Sequence, residues 1–439
     1  MHPNAGHDDA FHRIYLGTKL ITLDGANRLA LANAQGAGDL AGHPEGSLAN
    51  LLLNDQKRIK FREAIHDAFG LYIVLDPTQL GQIRLRFSTE KPAPDVDRSL
   101  TDDAIKYFQH GILIDQMSDG VKAFTGIILQ LIAGDPSILI IDEPEAFLHP
   151  ALALKLGRRM AQLPPDQRVF IATHSAEFLM GCVLGGSPAT IIRLTYQPGS
   201  ATARVLPSHE LTSLMRNPLL RSAGVLSGVF YSGVVVTEAD TDRSFYQEIN
   251  ERLRETSKDD GIQACLFLNA QNKQTVHVII RPLRALGIPA AAIVDFDIFN
   301  DGGSNWRNFL EAGGVPEIER HALSQSRALI EQRISALGGD MKKGGVNLLA
   351  AGDREAAVNV ISRLGEYGLF VVPHGELESW LATLGVKGPK DRWLPTIFER
   401  MGSDPSANDY LRPSANDVWH FVRQIKTWIT DPQRKGMPA

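Results

Sequence analysis

The stretch SILIIDEPEAFLHP, residues 137–150, sets the strongest limit on the fold. Ser137 to Ile141 is almost wholly apolar and rich in β-branched residues, which reads as a strand buried in a parallel sheet. It stops at two adjacent acids, Asp142 and Glu143. In open α/β sheets, ligands gather at the carboxyl ends of the strands. A carboxylate there can hold Mg2+ on a nucleotide, and a second can orient an attacking water. Taken alone, the same pair also reads as a polar turn before a helix beginning near Pro144.

Strands ending on polar residues recur along the chain. Arg168 to Thr173 reads as a second buried strand and ends at His174-Ser175. Farther on, Val234 to Thr237 runs into Glu238, and Ala290 to Val294 runs into Asp295-Phe296-Asp297. Helices are expected at 241–256 and 273–286, with a strand at 262–268 between them. This alternation predicts an α/β protein with parallel sheets. Earlier, residues 11–35 alternate around Asp24-Gly25 and predict a β-hairpin. The part after residue 303 reads as largely helical, broken by one strand-like run at Leu369–Pro373. The expected domains are 1–228, 229–302 and 303–439.

Composition narrows the function classes. With 439 residues and net charge −5, the chain has no global basic field for nucleic acid. Its most basic local cluster, Lys57, Arg58, Lys60 and Arg62, reads more readily as a solvated helix face than as a DNA patch. Only Cys182 and Cys265 are present, which argues against a disulfide framework and suits a reducing, cytoplasmic setting. The polar N-terminus does not read as a signal peptide, and no apolar run is long enough to span a bilayer.

The acids of the second α/β unit suggest metal chemistry. In a parallel sheet, Glu238 and the Asp295/Asp297 pair would emerge at the same edge. Glu238 and Asp242 are four apart and converge if a helix starts between them. Carboxylates gathered this way repel one another unless cations neutralise them, and hard oxygen ligands favour Mg2+ or Mn2+. One or two such ions would support phosphodiester hydrolysis.

Three pieces of the first half carry a resemblance: Ser118-Asp119-Gly120-Val121-Lys122, Asp142-Glu143-Pro144 and Thr173-His174-Ser175. In this order they resemble the signature loop, Walker B strand and switch histidine of the ABC and SMC/RecF-type ATPases. The second unit resembles the Toprim domain of topoisomerases, primases and nucleases, with Ala239 where that family has glycine. The two together resemble the OLD (overcoming lysogenization defect) family. The resemblance implies an incomplete ABC-type ATPase domain, then a Rossmann-like Toprim domain with a helical C-terminal extension. It further implies metal ligands at Glu238, Asp242, Asp295, Asp297 and Glu378, with Glu376 as the alternative to Glu378. It also implies Lys387 or Lys390 as the site's catalytic basic residue, stabilising the phosphorane-like charge that builds on the phosphate. The implied activity is a metal-dependent DNA endonuclease in phage defence, working as a homodimer or larger assembly.

One departure is marked. The phosphate-cradling run G-x-x-x-x-G-K-[ST] is missing from the sequence. The chain therefore reads as starting after that loop, and ATP is expected only with a partner or an upstream P-loop. A regulatory subunit that dimerises and binds DNA beside a P-loop-containing partner is the alternative function. Topoisomerase activity is disfavoured, since no separate DNA-gate domain with a nucleophilic tyrosine is evident.

Overall fold

The computed structural model describes residues 20–25, 27–42, 46–134, 136–162, 167–186, 189–197, 199–206, 208–388 and 390–438. The chain forms two compact units, Met1–Ala189 and Thr190–Ala439.

The first unit holds a parallel sheet of β1 (Leu20–Leu23), β6 (Ile138–Asp142) and β7 (Arg168–Ala172), in that order. β1 pairs with β6 from Leu20↔Ile138 to Leu23↔Ile141. This corrects the expected hairpin for the residues described here. Asp24 does turn the chain, but into a helical turn: its Oδ1 accepts the Asn27 N–H at 2.8 Å. Asx side chains bond nearby backbone in this way and favour a cap over a two-residue hairpin. The remainder of the hairpin, residues 11–19, lies outside the described residues.

A second, antiparallel sheet orders β2 (Gln35–Gly36), β4 (Gln82–Ser88) and β3 (Tyr72–Asp76), with β5 (Ile112–Leu113) also on β4. Helices α1 (Ser47–Leu53) and α2 (Asp55–Phe69) lie between β2 and β3 in the chain. Asn54 caps α2 through its side chain, and Gly70 ends it at φ 68°, a left-handed position that glycine adopts without strain. The basic cluster on α2 is divided by packing. Arg58 is buried, 3.0 Å from Asp97, and Arg62 lies 2.6 Å from the same carboxylate. Those two charges hold the fold together and do not form an open DNA patch.

Helices α3 (Asp102–His110), α4 (Asp119–Leu129), α5 (Pro150–Met160) and α6 (Ala176–Leu184) complete this unit. One face of the parallel sheet is sealed: Leu139 and Ile141 share a core with Phe124, Ile127, Leu156 and Phe178. On the other face Ile140 and Phe170 are exposed. The helix after the acid pair starts at Pro150 and not near Pro144, because His149 supplies the cap.

The second unit opens with the hairpin β8 (Ile191–Gln197) and β9 (Ser200–Leu206), followed by α7 (Ser208–Arg216). Next comes the expected alternation: β10 (Gly233–Thr237), α8 (Asp240–Thr256), β11 (Cys265–Asn269), α9 (Lys273–Ala285) and β12 (Ala290–Val294). Helices α10 (Gly303–Ala312), α11 (Glu317–Ala336) and α12 (Ala351–Gly365) lead to β13 (Leu369–Val371), and α13 (Lys390–Met401) and α14 (Asp417–Thr430) follow. The sheet is parallel throughout, ordered β11-β10-β12-β13. Every residue of β10 and β12 is buried, which is why both read as unbroken apolar runs.

An arginine knits this unit together. Arg284, buried on α9, donates to the carbonyls of Ala290 at 2.9 Å, Gly313 at 2.7 Å, Tyr367 at 2.9 Å and Gly436 at 3.1 Å. Its guanidinium lies 4.8 Å from the centre of the Trp428 ring. Burial lowers its pKa to about 9, so it remains charged at neutral pH.

Candidate metal centre

β10 and β12 are adjacent and in register, so both chains leave the sheet at one edge. Glu238 follows β10 and Asp295 follows β12. The turn Phe296–Asn300 then brings Asp297 back to the same point. Glu238, Asp295 and Asp297 each offer an oxygen, and these atoms all lie within 4.8 Å of one another. The Asp295 N–H donates to Glu238 Oε1 at 2.8 Å and fixes that carboxylate. The Phe296 N–H donates to the Gly375 carbonyl at 2.8 Å, tying the same turn to the loop after β13.

The donor set suits a hard divalent cation. It is all carboxylate, and Asp297 Oδ1 is buried with no hydrogen-bond partner. Such an orphaned anionic oxygen is costly unless a cation meets it. Burial is the main cause that pushes the Glu238 carboxyl up to about 7. The charges of Asp297 and Asp242 push the same way, while the Asp295 N–H and Lys273 oppose them.

This shift has a consequence for stability. A carboxyl whose folded pKa exceeds its unfolded value stabilises the fold below the unfolded pKa. That stabilisation is lost as pH rises through the folded value. The metal-free protein is therefore expected to melt at lower temperature at pH 8 than at pH 5, with on the order of 2–3 kcal/mol at stake. Glu238→Gln should flatten that dependence in calorimetry, and saturating Mg2+ should reverse it for the wild type.

The other expected ligands are placed differently. Asp242 is buried in the first turn of α8, where its Oδ2 accepts the Ala239 N–H at 3.0 Å. It helps start the helix and stays near enough to act on Glu238 electrostatically, but it is not one of the three clustered acids. Glu378 sits in the turn Leu377–Ser379, and its Oε2 is buried with no hydrogen-bond partner. Its neighbour Glu376 is connected to the cluster: Lys342 Nζ lies 4.0 Å from Glu376 and 3.7 Å from Asp297. Lys387 is exposed on a loop, and no ion pair joins it to the cluster among the described residues. Lys390 begins α13, but its side chain lies outside the described residues.

Two cations escaped the sequence reading. Lys273 Nζ is 3.0 Å from Asp297 Oδ2 and 3.0 Å from Asp301 Oδ1. Lys342 reaches the same acid from the Gly-rich segment GGDMKKGG. Lys273 had one usable signal, since it opens the helix that follows a strand of the parallel sheet. Lys342 had none.

The first unit gathers the ATPase-type residues. Asp142 ends β6, and Glu143 follows it at φ 48°, a left-handed position rare for a side chain other than glycine. His174 Nδ1 lies 3.0 Å from Glu143 Oε1. Glu145, not singled out from sequence, is buried and accepts from Thr173 Oγ1 at 2.7 Å and the His174 N–H at 3.1 Å. Beneath them the buried Arg28 donates to the Asp142 carbonyl at 2.9 Å and to the Glu143 carbonyl. Ser118 caps α4 without a side-chain bond, and Asp119 pairs with Lys122 at 3.4 Å. A methyl group on Gly120 would come 2.6 Å from the Phe147 carbonyl, so glycine there lets α4 start against the turn that follows the acids.

Comparison with known proteins agrees with this division. Residues 43–180 match a family described as AAA domain, AbiEii toxin, Type IV TA system. Residues 229–297 match the Overcoming lysogenization defect protein-like, TOPRIM domain. An ABC transporter ATP-binding/permease protein of Mycobacterium tuberculosis is 37% identical over 70 residues, spanning 16% of this chain and only 8% of that protein. A structure solved in work on ATP-driven dimerization and DNA-stimulated activation of SMC ATPases aligns at 16% identity and a TM-score of 0.23. That alignment covers 37% of this chain and 96% of the other. Among the described residues, no helix is long and apolar enough to cross a membrane.

Proposed function

We propose that this chain, an AAA ATPase-type domain followed by an OLD-like Toprim domain in the architecture of the OLD-family nucleases, is a metal-dependent DNA endonuclease. The observation that carries the reading is the convergence of Glu238, Asp295 and Asp297 around the unpartnered Asp297 oxygen. Mg2+ or Mn2+ bound there would supply Lewis-acid activation and neutralise charge on a phosphodiester. The three carboxylates would hold and orient the ion, and Asp242 sets the start of the helix behind Glu238. Lys342, half exposed at the mouth of the cluster, offers positive charge to an incoming phosphate. Glu378 and the lysines at 387 and 390 remain proposals for closing the site once DNA is bound.

In the ATPase-type unit, Asp142, Glu143 and His174 would provide the Mg2+ ligand, the water-orienting acid and the γ-phosphate contact. No G-x-x-x-x-G-K-[ST] run lies in these 439 residues, so the phosphate cradle would come from another chain or from sequence upstream. The same observation favours the second reading, a regulatory DNA-binding subunit that depends on a P-loop-containing partner. Homo-oligomeric action in the cytoplasm and a role in phage defence are part of the same proposal, supported by the resemblance to the OLD family.

The test is incubation of supercoiled plasmid with purified protein and Mg2+ or Mn2+, with and without EDTA. Metal-dependent nicking or linearisation supports the endonuclease. Intact plasmid in every metal, together with retarded DNA mobility, favours the regulatory subunit.

A further inference from the structure

We propose that Tyr246 and Trp380 are a positioning pair for the carboxylate site: the hydrogen bond between them pins the acidic loop after β13 to the helix that begins behind Glu238. The proposal rests on the metal-dependent reading above and adds how the protein holds its acids in place.

Tyr246 lies one turn beyond Asp242 on α8, so both side chains fall on the same side of that helix. The phenol is buried, and so is the Trp380 indole. Trp380 Nε1–H donates to Tyr246 Oη at 2.8 Å. An indole N–H can only donate, so the roles in this bond are fixed and the phenol keeps its own O–H to donate elsewhere. The charges that bear on that hydroxyl are those of Asp242, Asp295 and Glu238. Burial above all, then these charges, push the phenol pKa well above its ordinary value, against the pull of the Trp380 hydrogen bond. Tyr246 is thus a neutral donor packed beside the acids.

Trp380 ends the segment Gly375–Trp380, which carries Glu376 and Glu378. The other end of that segment is fastened as well. The Gly375 carbonyl accepts the Phe296 N–H at 2.8 Å, from the turn that carries Asp295 and Asp297. Between the two anchors the chain turns tightly: the Ser379 N–H and Oγ–H both donate to the Glu376 carbonyl, at 2.9 Å and 2.6 Å. Glu376 shares Lys342 with Asp297, and Glu378 carries a buried oxygen with no hydrogen-bond partner. Release of Trp380 would free one of the two anchors and loosen both acids. Phe421 of α14 packs on both rings, 5.2 Å from Trp380 and 6.0 Å from Tyr246 between ring centres. The rings are therefore held by packing, and the hydroxyl adds the direction.

The experiment titrates Mn2+ into the full chain and reads bound ion by electron paramagnetic resonance, each variant first shown to be folded by circular dichroism. Tyr246→Phe removes one oxygen and keeps the ring. It should weaken Mn2+ binding about 10-fold or more, the usual effect of losing a group that orients metal ligands. Trp380→Phe should do the same. The double variant should bind no more weakly than the weaker single, since the two residues act through one bond. A merely structural hydrogen bond would lower the melting temperature and leave Mn2+ affinity where it was. That result for Tyr246→Phe overturns the proposal, and so do losses that multiply in the double variant. No Mn2+ binding by the wild type would overturn the metal reading and the positioning role with it. If Trp380→Phe does not fold, the affinity of Tyr246→Phe decides alone.

Discussion

Asp295→Asn is expected to abolish tight divalent-ion binding and metal-dependent DNA cleavage while leaving the protein as stable as before or more so. The side chain keeps its shape, so the packing at the end of β12 survives, and the Asp295 N–H can still hold Glu238. What changes is charge. The cluster falls from three carboxylates to two, and one buried anion is removed from beside Glu238 and Asp297. Changes to groups that only orient metal ligands already cost roughly 10–100-fold in metal affinity or activity. Loss of a ligand charge should therefore exceed about 100-fold in both. The opposite signs are diagnostic. A purely structural acid would lower the melting temperature when neutralised, whereas a ligand held in a repulsive, metal-free cluster should not. Calorimetry of metal-free protein beside Mn2+ titration separates the two.

Arg284→Ala should be the most damaging single substitution in the second unit. It strips four backbone carbonyls of a buried donor and removes the ring contact with Trp428. Removing one partner from a buried charged network typically costs about 3–5 kcal/mol. A loss of that size should move the urea midpoint far down and can unfold a marginal domain outright. Arg284→Lys should rescue little, because a compact ammonium lacks the planar fork that reaches carbonyls on several sides. Near wild-type urea midpoints for both variants would show that the carbonyls find water instead.

The first of these predictions rests on strand ends that were legible in the sequence. Val234–Val236 and Ala290–Val294 are buried on both faces, so they appear as apolar runs whose ends can be read directly. Glu238, Asp295 and Asp297 fall at those ends, and so does Asp142 at the end of β6. What the sequence concealed was pairing at long range. Leu20–Leu23 looked like half of a local hairpin, yet its partner Ile138–Ile141 lies far along the chain. Buried charge was concealed for a related reason. Arginine and lysine are surface residues by habit, and no periodicity marks the few that turn inward. Arg28, Arg58 and Arg284 are each buried against carbonyls or carboxylates that come from other segments. Lys342 was missed because a lysine in a polar turn looks the same whether it faces water or an acid, and so does Lys273 at the start of a helix.

The path of the chain through the second unit also bears on when its site can exist during synthesis. The three clustered acids have all been translated by residue 297, yet the core beneath their sheet is not complete at that point. Val235, Ala291 and Ile293 share that core with Trp419, Phe421, Val422, Ile425 and Ile429 of α14. Gly436 closes the ring of carbonyls around Arg284. A nascent chain paused anywhere between Asp297 and α14 carries every acid of the cluster without the packing that gathers them. Domains fold as units as they leave the ribosome. The carboxylate site should therefore assemble only once α14 and Gly436 have been made, so that a chain stopped short of them carries the ligands but not the site.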